Sequence, residues 1–240
     1  MDELRNIYAD KRVGELLEFG RWPQGANGEV KPVVWRVLRR QADSVPGKKR
    51  FCPECGALNL EEAPFCAKCG AALSGGASAA RVLRREADHL LVIAEQGLDF
   101  KPYGEEKGEA AWAGCSLRRW LNNEFCGKAF DERERALILP SGNAGNAGPD
   151  TQDRVFLLSL DEAVSLFADD KARRAVPAEF AAKNNAYSSD DGFCCWWLRS
   201  LGGIYVIGGM AALVDAAGVV GFTRADCGIN AVRPAMRLVL

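Results

Sequence analysis

The chain has 240 residues, 48% of them hydrophobic and 26% charged, with a net charge of −1. That is ordinary globular composition, long enough for one large core and a small satellite module. Near-neutrality excludes a global basic field for nucleic acid or anionic membrane, and no apolar run reaches the ~20 residues of a membrane span.

The first twenty residues, "MDELRNIYADKRVGELLEFG", are charged throughout. They lack the apolar core of a signal peptide, so the expectation is a cytoplasmic protein. Residues 3–18 are expected to be helical and "KPVVWRVLRR" a strand. Between residues 52 and 70 comes "CPECGALNLEEAPFCAKCG", which holds two copies of C-x-x-C-G. Each copy turns two thiolates toward one side of a metal, and the following glycine admits the backbone turn. Cys52, Cys55, Cys66 and Cys69 therefore form a tetrahedral set of soft ligands suited to one structural Zn²⁺ with no open position for catalysis. The pattern resembles a small zinc ribbon. Nucleic-acid binding is not expected of it. Glu54, Glu61 and Glu62 oppose Lys48, Lys49, Arg50 and Lys68, and Phe51 and Phe65 are its only aromatics.

Val37–Asp43, "VLRRQAD", returns as Val82–Asp88, "VLRREAD", with one difference at Gln41/Glu86. Removing 38–82 joins "PVVWRV" to "LRREADHLLVIAEQ", which reads as a hairpin of two strands. The ribbon therefore reads as an insertion at 46–79, tethered by the polar linkers "SVPGKK" and "LSGGASAA", within one domain made of 1–45 and 80–240. Local repetition of two similar amphipathic strands is the plainer reading of the same match.

Further along, "SLRRWLNNEFC" starts with Ser116 as a candidate N-cap and sets Leu117, Trp120, Leu121 and Phe125 on one helical face. "SGNAGNAGPDTQD" at 141–153 reads as a loop and "DRVFLLSL" as a buried strand. Ser159 and Glu162 form a capping box opening a second short helix. From 194 onward short apolar runs alternate with glycine, which suggests short strands joined by long loops. The main domain is thus expected to be α+β.

Two specified blocks, Trp196–Ser200 and Val232–Ala235, enclose a stretch rich in Gly and Ala. Taken in order, "FGRWPQG…KPVVWRVL", "EQGLDFKPY", "WAGCSLRRWLNNEF", "DRVFLLSLDEA", "WWLRS" and "VRPAMRL" resemble a bacterial family of uncharacterised domains with a C-type-lectin-like fold. Some proteins of that fold are the variable proteins of diversity-generating retroelements. The resemblance implies an α+β, C-type-lectin-like domain with an inserted zinc ribbon, and a variable region at 196–236 rewritten at template adenines. An AAC or AAT codon rewritten at its adenines never encodes Lys, Glu, Gln, Trp or Met. The first four are absent from 203–230, and Met210 is the one exception. Glycine-rich strands and turns exclude long polar residues in any case, so composition alone leaves both explanations open.

The same resemblance implies a scaffold of Trp196–Ser200, Gly202, Ala211, Ala212, Val214, Gly218 and Val232–Ala235. Two tryptophans bury large area, and Arg199 and Arg233 are candidates for buried charge-assisted hydrogen bonds. The candidate protein-binding face is then Ile204, Tyr205, Val206, Ile207, Leu213, Asp215, Phe222, Thr223, Arg224, Asp226, Ile229 and Asn230. Its mixture of aromatic anchors, Arg and acids suits protein recognition. Val206, Ile207 and Leu213 are also natural core residues. The chain departs from the pattern at Leu201, where relatives often carry Pro, and in carrying the ribbon.

An enzyme is not expected. Formylglycine-generating oxidases of related fold use a cysteine pair at a copper site, whereas Cys194 and Cys195 are adjacent. The single histidine, His89, falls in an expected strand. A non-diversified binding domain with the ribbon as an interaction adaptor is the alternative reading.

Overall fold

The computed structural model describes residues 7–41, 49–51, 54–55, 58–60, 68–69, 71, 88–105, 111–143, 149–185, 189–201 and 209–240. The chain divides into two units, one of Met1–Arg40 with His89–Leu240 and the other of Gln41–Asp88.

In the larger unit, alternation of apolar residues builds the first hairpin. β1 (Leu16–Pro23) pairs antiparallel with β2 (Val30–Gln41), with Leu17 opposite Trp35. Leu17, Phe19, Val33, Trp35 and Val37 are all buried, as a period of two requires. The Trp35 indole donates to the Phe19 carbonyl at 2.7 Å, satisfying the polar atom of a fully buried side chain. Residues 3–18 were expected to be helical, yet only Ile7–Ala9 are helical among those described, and β1 already begins at Leu16. Cross-strand bonding explains the difference: Gly14 N donates to Val37 O, and Val37 N to Glu15 O.

In the smaller unit, β3 (Lys49–Phe51) and β4 (Leu58–Leu60) form an antiparallel pair, with Phe51 opposite Leu58. Back in the larger unit, β5 (His89–Ala94) is buried along its whole length and neighbours β2 in the sheet. Excising the ribbon leads to the expectation that these two strands are neighbours, and they are. Residues 82–87 lie outside the described residues.

After the short β6 (Asp99–Phe100) comes a helical segment: Ser116–Trp120, a π-helical turn at Leu121–Phe125, then Cys126–Ala129. Leu117, Leu121 and Phe125 are buried as expected. The cap is Cys115 rather than Ser116, its sulfur accepting from Arg118 N at 3.4 Å. The Ser116 hydroxyl is engaged instead with Glu105 N and Tyr103 O. Helix Glu132–Leu137 leads into β7 (Ile138–Leu139).

The expected loop at 141–153 contains a hairpin of β8 (Ser141–Asn143) and β9 (Thr151–Asp153). What organises it is a carboxylate. Asp153 is buried and accepts from Trp112 Nε1 at 2.9 Å, Arg118 Nε at 2.6 Å, Asn143 Nδ2 at 2.9 Å and Thr151 Oγ1 at 2.6 Å. A buried charge needs this degree of satisfaction. β10 (Val155–Phe156) follows, and then helix Leu160–Leu166, opened by the expected capping box of Ser159 and Glu162. Two further short helices are Asp170–Arg173 and Glu179–Asn185.

The C-terminal part supplies β11 (Trp196–Leu201), β12 (Met210–Val214), β13 (Val220–Arg224), β14 (Ala231–Val232) and β15 (Ala235–Val239). Two sheets result. One runs β1-β2-β5-β15-β10, with β7 also on β15; the other runs β13-β12-β11-β14-β6. With its helices, this makes the chain α+β. No helix among the described residues is long and apolar enough to cross a membrane.

Candidate functional site

The C-terminal sheet is pinned from behind by polar side chains that the core has enclosed. β11 pairs antiparallel with β12, setting Trp196 opposite Val214, and parallel with β14, setting Trp196 opposite Ala231. Trp196 Nε1 donates to Arg173 O at 3.1 Å, and Trp197 Nε1 to Lys101 O at 2.8 Å. Arg199 Nη1 donates to Leu157 O at 2.7 Å and is ion-paired with Glu162. Arg233 Nε donates to Ala94 O at 2.8 Å. Each of these side chains ties the sheet to a segment distant in sequence, so a buried donor meets a backbone carbonyl.

On that base, the scaffold positions Trp196, Trp197, Leu198, Arg199, Ala211, Ala212, Val214, Gly218 and Val232–Ala235 are all buried. The candidate face divides. Phe222 is 42% and Ile229 47% exposed, Arg224 and Asp226 are exposed, and Asp215 and Thr223 are half-buried. Phe222 and Arg224 are two apart on β13, which is the edge strand of the sheet, so they share one side. Arg224 is paired with Asp226, Nε to Oδ1 at 3.0 Å. Exposed charge pairs of this kind contribute little to stability and remain open to a partner.

Leu213 and Asn230 are corrections to the expected face. Both are buried, at 7% and 3% exposure, so neither offers side-chain surface. Leu213 faces inward opposite Trp197, and Asn230 immediately precedes the buried strand β14. Asp215 serves its own turn, its Oδ1 accepting from Ala217 N and Val219 N, each at 2.9 Å. Sequence reading missed Val219, which is 47% exposed beside Gly218. An aliphatic residue placed just after a turn glycine was the available signal. Ile204, Tyr205, Val206 and Ile207 lie outside the described residues.

The residues weighed for catalysis are buried or half-buried, and Cys195 lies near Asp215. His89 is buried at the start of β5. Cys194 is fully buried, its thiol donating to Ala175 O at 3.4 Å, and burial pushes its pKa up to about 12. Cys195 is half-buried, and burial raises its thiol too. Of the ribbon cysteines, Cys55 and Cys69 lie in turns following the two C-x-x starts, half-buried and exposed respectively, while Cys52 and Cys66 lie outside the described residues. The β3–β4 pair brackets the first knuckle, a local geometry that fits a thiolate turn.

A family model described as a domain of unknown function, DUF6273, matches residues 87–240. The chain belongs to that family. A zinc-ribbon domain matches residues 51–73. The DUF6273 match spans β5 to β15, so it contains the whole C-terminal sheet, while β1 and β2 precede it. No curated protein and no solved structure matches the chain.

Proposed function

We propose that this DUF6273 chain is a binding protein of C-type-lectin-like architecture. Its specificity lies in the C-terminal segment 196–236, diversified by a retroelement to engage protein ligands. One observation carries the reading. Every described scaffold position in the segment except Ser200 is buried, whereas most described positions between them retain exposure, among them Phe222, Arg224, Asp226 and Ile229. A segment built to vary needs that division, because a substitution at an exposed position spares the core. An exposed aromatic and aliphatic group beside an Arg–Asp pair also has the chemistry of a recognition patch. The missing Lys, Glu, Gln and Trp across 203–230 agree with adenine-directed rewriting.

The test is the DNA beside the gene. The expected finding is a near-copy of the segment encoding 196–236 that differs at adenines, next to a reverse transcriptase gene. Absence of such a copy from a complete sequence of the flanking DNA sinks the diversification.

In the ribbon, Cys52, Cys55, Cys66 and Cys69 are proposed to hold one structural zinc. A closed four-thiolate set organises a small fold and leaves the metal no position for a substrate.

A further inference from the structure

The larger unit contains a second feature whose charges do not balance. A cavity of about 410 Å³ is lined by Arg36, Glu95, Phe167, Lys171, Arg174 and Arg233, together with aliphatic neighbours. Four cations thus meet one carboxylate. That carboxylate is already committed, because Arg36 Nε donates to Glu95 Oε2 at 2.8 Å and Arg36 Nη2 pairs with Glu95 Oε1. Arg174 is held by Asp191, by the Ala216 carbonyl at 2.9 Å and by the Phe193 ring, 3.5 Å below its guanidinium.

Arg233 and Lys171 remain. Arg233 is 2% exposed, and its Nε and Nη1 donate to the carbonyls of Ala94 and Arg173. Its Nη2 has no hydrogen bond among the described residues, and it has no carboxylate partner. Buried charges are ordinarily paired. Here the charge is supported by those two carbonyls, by the ring faces of Trp196 at 5.0 Å and Phe167 at 5.6 Å, and at longer range by Glu95. Burial accordingly lowers its pKa to about 10, which still leaves it charged at neutral pH. Lys171 is exposed, and its side chain has no ion pair or hydrogen bond among the described residues. A buried guanidinium with no ion pair, an unpaired ammonium and the Phe167 ring in one cavity describe a receptor for a molecule with an anionic end and an apolar body.

We propose that this cavity binds a small organic anion, its oxyanion received by Arg233 and Lys171 and its apolar body resting against Phe167. The site uses Arg233, a buried scaffold position, and none of the exposed positions of the C-terminal face, so it stands whether or not that face is diversified.

Phenyl phosphate and benzoate, titrated separately by calorimetry into the full-length protein, test the proposal, with benzyl alcohol as the neutral control. Saturable binding of one or both anions and none of the alcohol is expected, and the better anion tells a phosphate site from a carboxylate site. Because Arg233 is core, the diagnostic variants are at Lys171. Lys171→Ala is expected to weaken binding about tenfold, the scale of one charge-assisted hydrogen bond. Lys171→Glu is expected to abolish it. The melting temperatures of both unliganded variants should stay near that of the wild type, since the residue is exposed. Absence of saturable binding by either anion up to about 10 mM, or undiminished binding by Lys171→Glu, overturns the proposal.

Discussion

Arg173 Nε donates to the carbonyl of Gly218 over 2.9 Å, fastening a four-residue helix to the turn between β12 and β13. The same turn brings Gly218 against the backbone of Asp170. A Cβ at Gly218 would stand 1.7 Å from the Asp170 carbonyl oxygen, and its φ is +89°. Alanine is therefore excluded by space as well as by conformation. Gly218→Ala is expected to lower stability by about 3 kcal/mol, combining roughly 1–2 for the left-handed backbone with overpacking. Gly192, at φ +81° with nothing within 4 Å of its Cβ position, is the control. Gly192→Ala should cost only the backbone share in urea denaturation. Equal losses at the two positions would show that the close approach to Asp170 contributes nothing.

The Arg199–Glu162 pair makes the fold sensitive to acid. Arg199 is almost wholly buried, and Glu162 is the carboxylate it meets. Burial alone would push Glu162 up, but the Arg199 hydrogen bond and charge, with the Ser159 N–H, bring it below the usual carboxylate range. A carboxylate depressed in the folded state stabilises fully above its unfolded pKa of about 4.3. That stabilisation is lost as pH falls through the lower, folded value. The urea midpoint of the wild type should drop as pH is lowered below about 5. Glu162→Gln should be destabilised by about 3 kcal/mol at neutral pH, because it leaves a buried guanidinium uncompensated, and it should show a shallower acid slope. An unchanged slope in the variant would assign the acid sensitivity elsewhere.

What the sequence disclosed follows from how local each signal was. The Ser159 capping box is written in four consecutive residues, and it formed. The strand at Val33–Val37 carries its period of two in its own composition. The buried roles of Trp196, Trp197, Arg199 and Arg233 were legible because large or charged residues flanking glycine-rich turns have few other uses. The failures are non-local. The 141–153 stretch looked like a loop because its organiser, Asp153, is satisfied by Trp112 and Arg118 from earlier in the chain. Helical periodicity before Leu16 yielded to pairing with β2, a partner some twenty residues away. At the candidate face, Leu213 and Asn230 were included as residues left between scaffold positions, with Leu213 also a natural core residue, and that pattern does not record which of them tertiary packing buries.

Adjacent cysteines should react very differently. Residues next to each other in extended backbone point to opposite sides, and here Cys194 is buried while Cys195 is half-buried. With the Cys194 pKa near 12, only about one thiol in ten thousand is thiolate at pH 8. Native alkylation by iodoacetamide, read by mass spectrometry of the 189–201 region, should mark Cys195 well before Cys194. Denatured protein should be marked at both. Equal native rates would mean that this part of the core opens on the timescale of labelling.

The ribbon offers a metal test that is separable from the rest of the molecule. One zinc per chain is the expected content, and Cys55→Ser or Cys69→Ser should bring it well below one equivalent, since a missing thiolate opens a closed tetrahedral site. All six tryptophans lie in the larger unit, so the tryptophan bands of the near-ultraviolet dichroism report on that unit alone. Chelation should therefore release zinc and raise the count of titratable thiols while leaving the tryptophan signal in place. Metal affinity should fall as pH is lowered toward 5, because protons compete for the thiolates. Full zinc occupancy in both serine variants would remove Cys55 and Cys69 from the ligand set.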